Sequence, residues 1–472
     1  MTDVQSEKTI AAIEVAVKYA KQHLTELDAQ PVGSTVDVEA LRTRLTRDLP
    51  TRGSAPEQVI DELVEAARDG LLGCASGRFF AWVIGGSLPS ALASDWLVST
   101  WDQNAALFAC SPAAAEIEEV AGSWLKELLD LPRESSFGFT TGCQMAHFGA
   151  LSAARHALLT QENWDVDEKG LFGAPTINVI VNELRHASID RALRYLGIGR
   201  QNVLPIRADG EGMSVAALEA ELQSADGPSI VVLNAADLNI AAFDSFAKLI
   251  PLAKQHGAWV HVDGAFGLFA RASQAKRKYT EGIELADSWA TDAHKWLNVP
   301  FDCGVFFVRD KLAHVAAMGV SASYIASENR ARDQIDWNPE WSRRARGIPV
   351  YAALRELGRE GVEELVDRCC KHAKSIVQQL GELPHVEVLW TPHLNQGLVR
   401  FLAPNSNANE SDHDIRTDQV IEAINQEGTA FFSGTNWAGK RAMRVSVVNW
   451  RTSAEDVSRT IAAVKRVLTK LA

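Results

Sequence analysis

The chain has 472 residues, 46% of them hydrophobic and 23% charged, the proportions of a globular protein able to bury a core without disulfide or metal staples. At about 150 residues per domain it has room for roughly three domains, or for two large pieces and a small one. Forty-seven Lys and Arg against 60 Asp and Glu give a formal charge of −13, which argues against a nucleic-acid binder and against a protein drawn to anionic membranes.

No run reaches the ~18 apolar residues of a membrane span. The opening MTDVQSEKTI lacks a basic stretch followed by an apolar one, so no secretory signal is expected. The six cysteines form no C-x-x-C pair, and no H-E-x-x-H occurs among the 12 histidines. Reduced thiols in a cytoplasm, and no metal site, are the expectation.

Ile10, Ile13, Val17, Ala20, Leu24 and Leu27 recur at helical spacing and predict an amphipathic helix over 8–27. Residues 37–70 carry two more helical patterns, broken near Pro50 and Gly53. This block, residues 1–79, has no strong strand and must bury its apolar stripes on the rest of the chain or on a partner subunit. Over residues 80–346 strands alternate with helices. The strands are INVIVN (177–182), IVVLN (230–234), AWVHVD (258–263) and GVFFV (304–308); the helices fall at 188–196, 214–224 and 244–256. That alternation predicts an α/β, doubly wound, mostly parallel sheet with ligands at the carboxyl ends of its strands. Residues 347–472 read as a small α+β domain. It has a helix at 350–380, strands at 386–390, 397–402 and 443–448, a polar loop APNSNANESDHD at 403–414 and a closing helix at 453–471.

Four segments carry chemistry. In WATDAHKWLNVPFDCG (289–304), Lys295 stands between His294 and Trp296 just after a strand. Burial lowers a lysine pKa, and a neutral amine attacks carbonyls; a snorkelling lysine at an element end is the plain alternative. In HVDGAFG (261–267), Asp263 ends an apolar strand, placed either to reach a ligand or to close an Asx turn. FGFTTGCQMAHFGALSAAR (137–155) runs from a small-residue turn into a helix, which is an anion site or a bare cap. His186, in VNELRHASIDRALRYLG (181–197), either stacks on a flat ligand or caps the following helix. A pyridine cofactor asks for both a lysine and an acid that keeps its ring nitrogen protonated.

Together, D-x-A at 263–265 and D-A-H-K-W at 292–296 resemble the group II pyridoxal-phosphate-dependent amino-acid decarboxylases, which include the aromatic-L-amino-acid, histidine, glutamate and tyrosine decarboxylases. The resemblance runs over residues 70–370, with S-P-A-x-x-E-x-E (111–118) and S-R-R-A-R-G (342–347) as further landmarks. It implies the PLP-dependent transferase fold type I, aspartate-aminotransferase-like. That fold has a large seven-stranded, mostly parallel sheet domain, a small C-terminal domain and an N-terminal helical segment. It implies pyridoxal 5'-phosphate as cofactor and a homodimer with the active site at the interface.

Carried over residue by residue, the resemblance makes Lys295 the Schiff-base lysine and Asp263 the partner of the pyridinium nitrogen. Ala265 and His186 take the two ring faces. Cys143 and Gln144 fall on the phosphate loop, with His294 and Asp292 beside the phosphate. Tyr324, in SASYIASENRARDQIDW, falls on the tyrosine that protonates the substrate carbon. The phosphate loop departs from the family, reading G-C-Q-M-A where many members have a Gly/Ser/Thr-rich run ending E-A, so backbone amides carry more of the binding. Leu238 replaces a threonine of some members, and Asn239 or Asp237 supplies the polar contact instead.

FFAWVIGGSLP (79–89) falls on the family's substrate strip, where Trp82, Val83 and Ile84 are apolar. No basic residue there holds a side-chain carboxylate, which favours an aromatic or other apolar amino acid; core packing explains the same three residues equally well. Trp101 and Leu107 are further wall candidates. Arg444 lies where fold relatives sometimes bind carboxylate, or serves as a structural ion-pair partner. The expected activity is decarboxylation of an L-amino acid to its amine and carbon dioxide. Tyr324 favours this over aldehyde synthesis, where a phenylalanine usually stands. A carbon–carbon lyase, an aminotransferase and a catalytically silent binding subunit are the alternatives.

Overall fold

The computed structural model describes residues 2–209, 212–319 and 331–471. The opening block is helical: α1 (Thr2–Glu26), α2 (Val38–Leu45) and α3 (Pro56–Ala67). α1 packs along α3, yet no residue of α2 or α3 is buried. Ile10, Ile13, Leu24, Val59 and Leu63 stay exposed.

Helices α4 (Pro89–Trp101) and α5 (Pro112–Leu128) lead into the alternating region. There follow β1 (Ser136–Thr140), α6 (Cys143–Gln161), α7 (Val166–Lys169), β2 (Asn178–Asn182), α8 (Ala187–Tyr195) and β3 (Val203–Ile206). A two-residue ribbon, β4 (Ala208–Asp209) with β5 (Gly212–Met213), precedes α9 (Val215–Ser224), β6 (Ser229–Asn234), α10 (Phe246–Gln255) and β7 (Trp259–Asp263). Then come β8 (Ser288–Asp292), β9 (Gly304–Val308) and α11 (Lys311–Met318). Seven strands form one sheet in the order β1-β9-β8-β7-β6-β2-β3. Strands β8, β7, β6, β2 and β3 run parallel, and β9 is antiparallel to both its neighbours.

Period-two alternation explains the two cores. Val179 and Val181 of β2 and Ile230 and Val232 of β6 enter one cluster with α6 and α8. Ile180, Val231 and Leu233 enter the other, with α9, α10 and the long helix at Gly347–Gly381. Strands covered on both faces read as unbroken apolar runs, which is how they appear in the sequence.

The remaining elements are α12 (Gly347–Gly381), β10 (Val386–Trp390), β11 (Gln396–Phe401), α13 (Glu410–Glu427), β12 (Ser433–Trp437), β13 (Lys440–Ser446) and α14 (Ala454–Lys470). Four strands make a second, antiparallel sheet, β10-β11-β13-β12. α12 breaks at Gly358, whose φ is 61°. No helix among the described residues is long and apolar enough to cross a membrane.

Two expectations need correction. The small-residue turn expected at Gly138, Thr140, Thr141 and Gly142 is strand over its first part: β1 takes residues 136–140. Its Gly138 is there because a Cβ would lie 2.6 Å from the Trp337 carbonyl oxygen, not because the chain turns. The polar loop over 403–414 ends early, because Asn409 caps α13 in a reciprocal box with Asp412. The two sequence landmarks meet in space: Arg343 Nη1 pairs with Glu118 Oε2 at 2.9 Å, both side chains buried, and Arg343 also donates to the Ala105 and Phe139 carbonyls.

Candidate active site

The carboxyl ends of β6, β7 and β8 deliver Asn234, Asp263 and Asp292 to the wall of one cavity of about 630 Å³. Lys295 follows β8 by three residues, and its Nζ lies 3.1 Å from Asp292 Oδ2. The turn carrying it is fixed from below. A Cβ on Gly85 would collide with the Lys295 carbonyl, so only glycine lets residues 84–86 pass there. Asn298, fully buried in the left-handed region at φ 49°, ties the turn to two distant segments. Its Oδ1 accepts from the Gly86 and Trp450 amides at 2.9 and 3.0 Å, and its Nδ2 donates to the Trp296 and Val448 carbonyls at 2.9 and 3.0 Å.

Burial alone would lower the Lys295 amine, but the Asp292 carboxylate outweighs it and holds the group above the ordinary lysine value. The expectation of a burial-lowered lysine is therefore reversed: an ion pair three residues away decides the sign. At Asp263 burial alone would raise the carboxyl. The His147 imidazole, the Ala265 amide and His186 outweigh it and hold the group well below the usual carboxylate range. Asp263 is thus an anion, as a partner for a protonated ring nitrogen must be.

His186 both caps and faces the cavity. Its Nδ1 accepts from the Ser188 amide at 3.2 Å at the start of α8, which puts the ring proton on Nε2. Burial holds it below the ordinary histidine value. His294, lowered for the same reason, accepts the Cys303 amide on Nδ1 at 3.2 Å. Cys143 opens α6, and its amide donates to Asp292 Oδ1 at 2.7 Å, so a carboxylate already sits on the positive end of that helix. Burial pushes its thiol well up, so it is neutral. Gln144 accepts from Arg191 at 3.1 Å.

The structure gathers most of the expected residues. Lys295, Asp263, Asp292, His294, Ala265 and His186 line the cavity, as do Cys143, Gln144, Trp82 and Val83. Trp82 and Val83 are held at φ 55° and 57°, a costly left-handed pair for large side chains. Ile84 is not part of the wall; it packs on the cluster of Val32, Phe79 and Ala81. Asn239 also stands off, accepting from Thr435 Oγ1 at 2.7 Å, while Asp237 and Leu238 reach the cavity instead. Trp101 and Leu107 do not line it. Tyr324 lies outside the described residues.

Arg191, Asn234 and Arg444 also line the wall. Arg444 is not an ion-pair partner among the described residues. It donates to the Leu238 carbonyl at 3.1 Å, its Nε has no partner, and burial lowers it to about 10. Asn234 was missed by the sequence reading, although it ends an apolar strand just as Asp263 does.

The donor set fits pyridoxal phosphate. A lysine and an anionic carboxylate share the cavity, a helix start supplies amides for phosphate, and one buried polar atom of the wall, Asn234 Nδ2, lacks a hydrogen-bond partner among the described residues. The aromatic-L-amino-acid decarboxylase of Bacillus atrophaeus is 27% identical over 459 residues, 95% of this chain and 93% of that protein. Tyrosine decarboxylase 2 of Arabidopsis thaliana is 27% identical over 435 residues, 88% of this chain and 78% of that protein. The crystal structure of Oryza sativa TDC with PLP and tryptamine superposes with a TM-score of 0.90 at 23% identity, covering 98% of each chain. The sequence profile of the pyridoxal-dependent decarboxylase conserved domain matches residues 39–403, a span holding Lys295, Asp263 and both buried landmarks; the chain belongs to that family.

Proposed function

We propose that this pyridoxal-phosphate-dependent decarboxylase acts on an aromatic L-amino acid, releasing carbon dioxide and the corresponding amine. The single observation that carries the reading is the meeting of Lys295 and anionic Asp263 in one cavity. Trp82 and Val83 support an aromatic side chain, as do the names of the two curated relatives.

Bound pyridoxal phosphate supplies an electron sink for the pair left on Cα when carbon dioxide departs. Lys295 is the amine that holds the cofactor and releases it to substrate. Asp263 keeps a proton on the ring nitrogen. His186 covers one ring face, and Ala265, being small, leaves room at the other. The first turn of α6, with Cys143 and Gln144, binds the phosphate, and Asp292 must yield the Cys143 amide to it. His294 steadies that corner through the Cys303 amide. Arg444, with an unpartnered Nε, takes the substrate carboxylate and orients it. Tyr324 returns a proton to Cα, a step typically worth about 10²–10⁴-fold.

The working unit is a homodimer. The bare apolar stripes of α1 and α3 fit a second copy. Residues 1–79 form the dimerisation segment, 80–346 the cofactor domain and 347–472 the small domain. Six free cysteines suit the cytoplasm.

The test is carbon dioxide release from the twenty protein amino acids and common non-protein ones. Aromatic substrates should lead. In aerated solution Tyr324→Phe should shift product from amine toward aldehyde and ammonia, with dioxygen taking the two electrons as hydrogen peroxide and water supplying the aldehyde oxygen. Release only from acidic amino acids would contradict the substrate assignment, and an unchanged amine yield would contradict the tyrosine's role.

A further inference from the structure

Asp263 is also the end of a row of buried polar groups that the reaction above does not use. His147 of α6 brings Nε2 to 3.5 Å from Asp263 Oδ2. Its Nδ1 lies 2.9 Å from Nε2 of His261 on β7, with the two rings edge to face. His261 Nδ1 lies 2.9 Å from Oγ of Ser288 on β8, and that oxygen accepts the Trp259 indole N–H at 2.9 Å. His147, His261 and Ser288 are fully buried and Trp259 nearly so, so these polar atoms must satisfy one another.

The direction of the row follows from its two ends, an indole N–H that only donates and an ionised carboxylate that only accepts. Ser288 Oγ accepts from the indole and keeps its own hydrogen to give, and His261 Nδ1 is the acceptor it meets. His261 then carries its proton on Nε2 and gives it to His147 Nδ1. The His147 proton is left on Nε2, facing Asp263. One pattern satisfies every link and leaves no hydrogen of the row without an acceptor. Burial and the neighbouring His147 hold His261 well below the ordinary histidine value, which agrees with a neutral ring. The last link is loose, because 3.5 Å is long for a hydrogen bond and His147 Nε2 has no other partner.

We propose that Trp259, Ser288, His261 and His147 form a one-way hydrogen-bond relay ending on Asp263, with His147 as the positioning residue that holds its carboxylate oriented for the cofactor. The relay rests on the reading of Asp263 as the partner of the ring nitrogen.

The test uses the full-length protein and pyridoxal phosphate. His147→Leu should weaken cofactor binding, followed by fluorescence titration, by about ten- to hundredfold, the range of one hydrogen bond to a charged group. His147→Gln, whose amide can donate again toward Asp263, should recover most of the loss. Nitrogen-15 spectra of histidine-labelled wild-type holoenzyme should show both buried rings protonated at Nε2 and bare at Nδ1. A folded His147→Leu chain that binds as tightly as wild type, or a ring protonated at Nδ1, overturns the relay. If His147→Leu does not fold, the wild-type spectrum decides alone. A wild-type chain that does not bind pyridoxal phosphate overturns the reading of Asp263 itself, a distinct result.

Discussion

Asp292 sets the charge on Lys295. The carboxylate lies 3.1 Å from the amine and is the largest influence raising it against burial. A charged amine cannot attack an aldehyde, so cofactor capture must wait for proton loss. The sign follows: with the lysine raised, its neutral fraction grows as pH increases toward that raised value. The capture rate of the apo chain, followed by absorbance in stopped flow, should climb from neutral to alkaline pH. Asp292→Asn should move that climb to lower pH; an unmoved profile would show that the ion pair does not govern capture. At this scale the sequence was legible where a residue type is forced by chemistry, as with Lys295, Asp263 and His186. It misled where a neighbour's carboxylate outweighs burial. It also misled at Ile84 and Asn239, because a one-residue change of direction in an irregular segment moves a side chain out of the cavity.

Elements meet at Asn298. Its amide joins the Lys295 turn to the strip at 84–86 and to the segment after β13, through four bonds of 3.0 Å or less. Asn298→Ala strands the Gly86 and Trp450 amides in the interior and puts alanine at φ 49°. We expect a loss of about 3 kcal/mol in denaturant unfolding, at 1–3 kcal/mol for each orphaned donor, together with weaker cofactor binding. A change below about 0.5 kcal/mol, the scale of a neutral surface substitution, would show that the turn is held otherwise. Strands β2, β6, β7 and β9 were readable because burial on both faces makes them apolar throughout. β1 was hidden by its glycine, and the start of α13 by a capping box whose polar residues look like a loop. The Glu118–Arg343 pair stood in the sequence as two landmarks 225 residues apart, and only the folded chain shows that each is there for the other.

For the whole molecule, the N-terminal stripes are the outstanding feature. Ile10, Ile13, Val59 and Leu63 are each more than two-fifths exposed on α1 and α3, which pack along each other, and most helical stability in proteins comes from packing an apolar face. Light scattering after size exclusion should return twice the chain mass, and removal of residues 1–79 should abolish the dimer. A stable, active monomer would contradict the assembly. The helical pattern of this block was plain in the sequence, whereas its covering surface was not, because a monomer's sequence carries no record of which stripe meets which. The account as a whole turns on where the cofactor is held. Borohydride reduction of the holoenzyme, followed by peptide mass mapping of the full chain, measures this directly. The phosphopyridoxyl group is predicted on the peptide containing Lys295 and lost in Lys295→Ala; its appearance on another lysine, or on none, would contradict the account.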